Sequence, residues 1–208
     1  MTAMFRRHLD KRVFDNASRT LSRLLPVLPL TGKAAKLMGA VYAAQARGAL
    51  RQTGKLIGPV AIYDVDLRKL RAASLLSQVA SRVGWRFVFA VRDYPVATVD
   101  CPLDDRRPGL VADGESARRF LSGMQRMLEE AKIRGWSRGR HELRLIRIPA
   151  LHTSALWVPS VRRGVLLLRR RGLEHPDGNA GLLDQAEFAA WLRAARKQAR
   201  LLERVNEI

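Results

Sequence analysis

Cysteine is nearly missing from this chain of 208 residues: Cys101 is the only one. No disulfide can close within it and no thiolate metal site can be assembled, which points to a reducing compartment. Long uncharged stretches are missing too. The longest runs from Ile148 to Val161 and contains Pro149, His152 and Pro159. It falls short of the roughly 18 residues that a spanning helix needs. The apolar segment Leu24–Leu30 is broken by Pro26 and Pro29 and lies too far along the chain for an ordinary signal peptide. The expectation is a cytoplasmic protein, with contact at a membrane surface as the variant. Aromatic residues make up only 6%, and no glycine-aromatic motif marks an RNA-recognition sheet, so base stacking is not advertised.

Acidic residues are scarce relative to basic ones, 19 against 38, for a net charge of +19. Residues 1–56 hold 11 basic and 2 acidic side chains, residues 57–208 hold 27 and 17. A field of that sign favours phosphate polymers and anionic lipid and says nothing about fold. Arginine outnumbers lysine 31 to 7. Guanidinium forks suit bidentate phosphate contacts, but GC-rich codons produce the same bias, so the ratio alone decides nothing. Hydrophobic residues reach 47%, enough for a core and too many for wholesale disorder.

Periodicity divides the chain near residue 56. Residues 3–25 read as an amphipathic helix, with Leu9, Val13, Ala17, Leu21 and Leu24 in one stripe and Arg12, Arg19 and Arg23 opposite. Residues 33–54 read as a second helix, whose Ala40, Ala44 and Gly48 would let a neighbour approach closely. The two form an expected helical hairpin, residues 1–56, ahead of a domain at 57–208. In that domain Val60–Tyr63 reads as a strand. A helix with Ala72, Leu75, Leu76, Val79 and Val83 follows, and Gly84 stops it. Phe87, Phe89 and Val91 recur at every second position as in a strand, Asp93-Tyr94-Pro95 turns the chain, and Val96–Val99 returns as a second strand. A polar loop spans 102–114. A helix then covers about 115–134, burying Phe120, Met124, Met127 and Ala131, and strands follow at 141–148, 153–158 and 164–169.

The last helix has the fullest set of local signals. Asp184 and Glu187 form a capping-box-like pair, and Leu183 can staple onto Phe188. Phe188, Trp191, Leu192, Ala195, Ala199 and Leu202 make the buried stripe. The expected class is α+β: a mainly antiparallel sheet with helices on one face, preceded by the hairpin, and a parallel pair across Tyr63–Trp85 as an addition. The string Arg147-Ile148-Pro149-Ala150-Leu151, followed by Ala155-Leu156-Trp157 and a capped final helix, resembles a recurring block in uncharacterised bacterial proteins. The resemblance covers roughly residues 57–200 and implies no activity.

Five motifs invite chemistry and fail on context. Gly135-Trp136-Ser137-Arg138-Gly139 has the spelling of a nucleophile elbow, but a helix precedes it and a strand follows, the reverse of the strained strand-to-helix turn required. Asp64 and Asp66 resemble the paired aspartates of haloacid-dehalogenase-like phosphatases, yet Leu67-Arg68 stands where that family's pattern continues; Asp66 reads as a cap. Asp177–Leu182 echoes half a calcium loop, but its twelfth position is Ala186, not glutamate. Gly48, Gly54 and Lys55 imitate a Walker loop with one residue too many and Leu56 in place of the hydroxyl. Glu130 and Lys132 resemble a nuclease E-x-K but lie on a helix. His8, His141, His152 and His175 lack metal-ligand spacing. No cofactor or metal is expected.

A basic surface remains: Arg162 and Arg163, Arg169, Arg170 and Arg171, and the far face of the last helix with Arg193, Arg196, Lys197, Arg200 and Arg204. The expected function is non-enzymatic binding of a polyanion, most simply the backbone of nucleic acid. The alternative is docking on a membrane surface or protein partner through the first helix, with Phe5, Leu9, Arg12, Val13, Arg19, Leu21 and Arg23.

Overall fold

The computed structural model describes residues 11–24, 36–37, 54–71, 76–104, 109–112, 114–136, 141–169 and 182–205. Its elements are α1 (Lys11–Leu24), β1 (Gly54–Val65), a 3-10 turn (Leu67–Lys69) and the short α2 (Leu76–Val79). Then come β2 (Ala80–Val91), β3 (Tyr94–Pro102), β4 (Leu110–Ala112) and α3 (Gly114–Ile133). The chain continues through β5 (Arg144–Ile148), a second 3-10 turn (Pro149–Leu151), β6 (Thr153–Trp157), β7 (Val165–Arg169) and α4 (Gln185–Val205). The class is α+β, as expected, and the sheet is mixed. Two compact units share these elements. The first holds Met1–Val60 and Gly84–Arg126, the second Ala61–Val83 and Met127–Ile208.

In the first unit the strands run β4-β3-β2-β1. β2 and β3 pair antiparallel, Phe87 opposite Val99, and β3 and β4 likewise. Phe87, Val88, Phe89, Ala90 and Val91 are all buried, so both faces of β2 are covered. On one face α1 sets Ala17 and Leu21 among Phe87, Phe89, Val99 and Cys101, with Val13 packed against them. On the other, the Arg86 guanidinium lies 5.4 Å from the ring centre of Phe120 in α3. Helices therefore cover both faces of this sheet rather than one. α1 is the element that composition had set apart, and its apolar stripe closes the sheet of its own chain. Residues 25–35 and most of the second expected helix lie outside the described residues; Lys36 and Leu37 are helical.

Gly54, and Gly84 that reads as a helix stop, are close approaches within strands. Gly54 lies inside β1, where a Cβ would come within 2.4 Å of the Phe89 ring. Gly84 lies inside β2 opposite Pro102, and a Cβ there would meet the Cys101 carbonyl at 2.3 Å. The boundary expected near residue 56 thus falls within a strand. The helix expected up to Val83 is reduced to α2, because Ala80–Val83 belong to β2.

In the second unit the order is β2-β1-β5-β6-β7. The parallel pair is β1 with β5, Ala61 opposite Arg144, not the one expected across Tyr63–Trp85; β5–β6 and β6–β7 are antiparallel. Ile146, Ile148, Ala155, Trp157 and Val165 form one core with Phe188, Leu192 and Ala195 of α4. Leu145 and Leu156, of opposite parity on β5 and β6, are also buried, as is Ile62 of β1. α4 starts as its local signals indicate. Asp184 accepts from the Ala186 amide at 2.8 Å, and the Glu187 carboxylate accepts from the Asp184 amide at 2.7 Å. Trp191 is partly rather than fully buried and stacks on Phe188, ring centres 5.6 Å apart.

Candidate polyanion interface

The second unit gathers cations around the 3-10 turn, and the local sequence explains how. In Leu67-Arg68-Lys69-Leu70-Arg71 the two leucines are 7% and 2% exposed and belong to the core. Buried at positions three apart, they leave Arg68, Lys69 and Arg71 on the solvent side, and all three are exposed. Asp66 opens the turn, accepting from the Arg68 amide at 3.0 Å and pairing with its guanidinium at 3.1 Å. Those two hydrogen bonds hold the Asp66 carboxyl below its ordinary pKa, so it stays ionised.

α4 brings its own cations to the same place. Arg196 donates from Nη1 to the Leu70 carbonyl at 3.1 Å, joining the last helix to the turn. Arg193 lies three residues before Arg196 and four before Lys197, so it neighbours both on the helix surface. Arg196 is therefore half-buried and positioned, not a free member of a solvated face. Arg196 thus joins a turn that carries exposed Arg68, Lys69 and Arg71 to a helix segment that also carries Arg193 and Lys197, and Asp66 at the head of the turn is paired with Arg68.

The other sequence-derived candidates fall elsewhere. Arg162 pairs with Asp184 at 2.7 Å and Arg163 approaches Glu187 at 3.8 Å, so these two cations are matched by two carboxylates at the start of α4. The Asp184 carboxyl is held low first by the Ala186 amide and then by Arg162. Arg169 ends β7, and Arg200 and Arg204 continue the backbone of α4. Arg170 and Arg171 lie outside the described residues, as do Phe5 and Leu9. Of the docking stripe on α1, Leu21 is 8% exposed and Val13 packs against the same cluster, while Arg12, Arg19 and Arg23 are exposed.

The motifs set aside in the sequence have structural partners where they are described. Asp64 is gripped by Arg147 across the parallel pair at 2.7 and 3.0 Å. Glu130 pairs with Arg134 at 2.8 Å. His141 Nδ1 lies 2.6 Å from Ser160 Oγ, and His152 closes the second 3-10 turn with φ 47°. Ser137, His8, His175 and the segment 177–181 lie outside the described residues. Among the described residues no three His, Cys, Asp or Glu side chains converge as a metal site, and no helix is long and apolar enough to cross a membrane. Sequence reading missed Arg68, Lys69 and Arg71 because the window was read as the start of a helix. The signal was present as paired leucines with cations between and after them. No family model, curated protein or solved structure matches this chain.

Proposed function

We propose that this protein is a non-enzymatic polyanion binder that engages the backbone phosphates of nucleic acid, acting in the cytoplasm. The observation that carries this reading is the bond from Arg196 to the Leu70 carbonyl, which joins the turn bearing exposed Arg68, Lys69 and Arg71 to the helix segment bearing Arg193, Arg196 and Lys197. A charge of +19 supports it, since solubility asks far less of a small domain. Four of the six cations are arginine, whose planar fork matches phosphate oxygens. Fixing the turn through Leu67, Leu70 and Arg196 lowers the ordering cost on binding. A helical hairpin formed by α1 with residues 33–54 is part of the same reading and adds positive charge at the other end of the chain.

Reversing Arg68, Lys69 and Arg71 to glutamate tests it. All three are exposed, so the melting temperature should stay near that of the wild type. Affinity for a short labelled DNA duplex should fall, and the slope of log K against log salt should become shallower by about 3. Unchanged binding and slope would remove the patch from the interface. Cosedimentation with anionic liposomes, and none with nucleic acid, would replace the proposal with membrane docking.

A further inference from the structure

The hairpin joining β2 to β3 turns in two residues, Arg92 and Asp93, between the paired Val91 and Tyr94. Both have positive φ, 49° and 62°. Two-residue hairpins with that backbone favour Asn-Gly or Gly-Gly, because a Cβ in the left-handed region meets the following carbonyl. Aspartate tolerates the region; arginine has no local means of doing so. Stability alone therefore does not account for Arg92 at this position. Its side chain is exposed, and the tip around it is basic. Lys55 reaches across from β1 to pair with Asp93. Arg118 of α3 donates to the Tyr94 hydroxyl at 2.6 Å, its guanidinium 5.8 Å from the centre of that ring. Lys55 is paired with Asp93 of the turn and Arg118 with Tyr94 beside it, and Arg92 is the cation carried on the strained turn itself.

We infer that this hairpin tip is a second phosphate-contacting site for nucleic acid, in the first unit, with Arg92 as its principal contact. This rests on the proposed nucleic-acid binding and adds to it, since none of these residues belongs to the patch on the second unit. A two-stranded ribbon ending in a tight, positively charged turn is an element that nucleic-acid grooves and backbones admit. Strain kept at an exposed arginine is the pattern expected where a residue is held for contact rather than for folding.

The experiment compares wild type, Arg92→Gly and Arg92→Lys by fluorescence anisotropy with a short fluorescein-labelled DNA duplex over a salt series, alongside thermal melting. Glycine adopts positive φ without a Cβ, so Arg92→Gly should melt at or above the wild-type temperature. It should also bind on the order of tenfold more weakly, the loss of one charge-assisted contact, with a salt slope shallower by about 1. Arg92→Lys should keep the slope. Wild-type affinity and slope in Arg92→Gly would overturn the inference and leave the proposed function standing. A lower melting temperature for Arg92→Gly would overturn it as well, because the arginine would then be serving the fold. A wild-type protein that does not bind the duplex would take both readings down.

Discussion

Two ion pairs in the first unit have the same chemistry and different weight. Arg86 grips Asp100 in a bidentate fork at 2.6 and 2.6 Å, with side chains only 15% and 11% exposed. Lys55 and Asp93 pair in the open, 59% and 83% exposed. Removing one partner of a buried pair leaves the other charge uncompensated, so Asp100→Asn should cost about 3–5 kcal/mol in denaturant unfolding. Asp93→Asn should cost less than about 1 kcal/mol, because water screens that pair and asparagine also tolerates positive φ. Equal effects would mean that Arg86 finds another partner or more water than its burial implies. Local pairs were legible in the sequence: Asp184 with Glu187 and Asp66 with Arg68 lie within three residues, where spacing carries the information. Arg86 with Asp100 and Arg147 with Asp64 were not, since 14 and 83 residues separate them and only strand pairing brings them together.

Among the elements, α4 is held at its start by a reciprocal set of bonds. Asp184 accepts from the Ala186 amide and from Arg162, Glu187 accepts from the Asp184 amide, and Gln185 donates to the Pro159 and Val161 carbonyls. The Asp184 carboxyl titrates below its ordinary value when folded, so the bonds to its ionised form stabilise the protein above the ordinary carboxylate range near pH 4. That contribution is lost as pH falls through the lowered folded value. Asp184→Asn should therefore melt lower than wild type at pH 7, and the gap should narrow as pH drops below about 4. A gap independent of pH would mean that shape, not charge, fixes this helix start. The same element shows why some of the fold could be read directly. The capping pair and the 3.6-residue stripe both place α4, and similar periodicity places α3 within a residue of its observed ends. β2 was legible only in part. Leu76, Val79 and Val83 recur at helical spacing, and Gly84 looks like a stop, yet the strand begins at Ala80, four residues before its pairing with β3 starts at Gly84. The run Phe87–Val91, apolar at every position, marks a strand covered on both faces, and that signal argued against a sheet with one open side.

At the scale of the molecule, the question is whether the first helix is an appendage or part of the fold. Composition favours an appendage, because the first 56 residues hold 11 basic side chains against 2 acidic ones. Packing favours the fold. Ala17 is 0% and Leu21 8% exposed, and both sit in the cluster formed by Phe87, Phe89, Val99 and Cys101. Phe14, though 45% exposed, meets the Phe87 ring edge to face at 6.2 Å. A fragment beginning at residue 57 would lose this cover and also the first residues of β1, Gly54–Leu56. The large apolar side chains left bare on that face of β2 and β3 would each forgo about 1.5–3 kcal/mol of burial. Such losses rival the whole stability of an ordinary domain, about 5–15 kcal/mol. The fragment is expected to lack a cooperative thermal transition and to bind a hydrophobic dye. The full chain carrying Leu21→Ala should still fold, but with about 2–5 kcal/mol less stability. A fragment that melts cooperatively near the wild-type temperature, together with a Leu21→Ala variant that loses nothing, would show that α1 rests on a sheet already stable without it, and the basic first quarter would then be free to act as a separate arm.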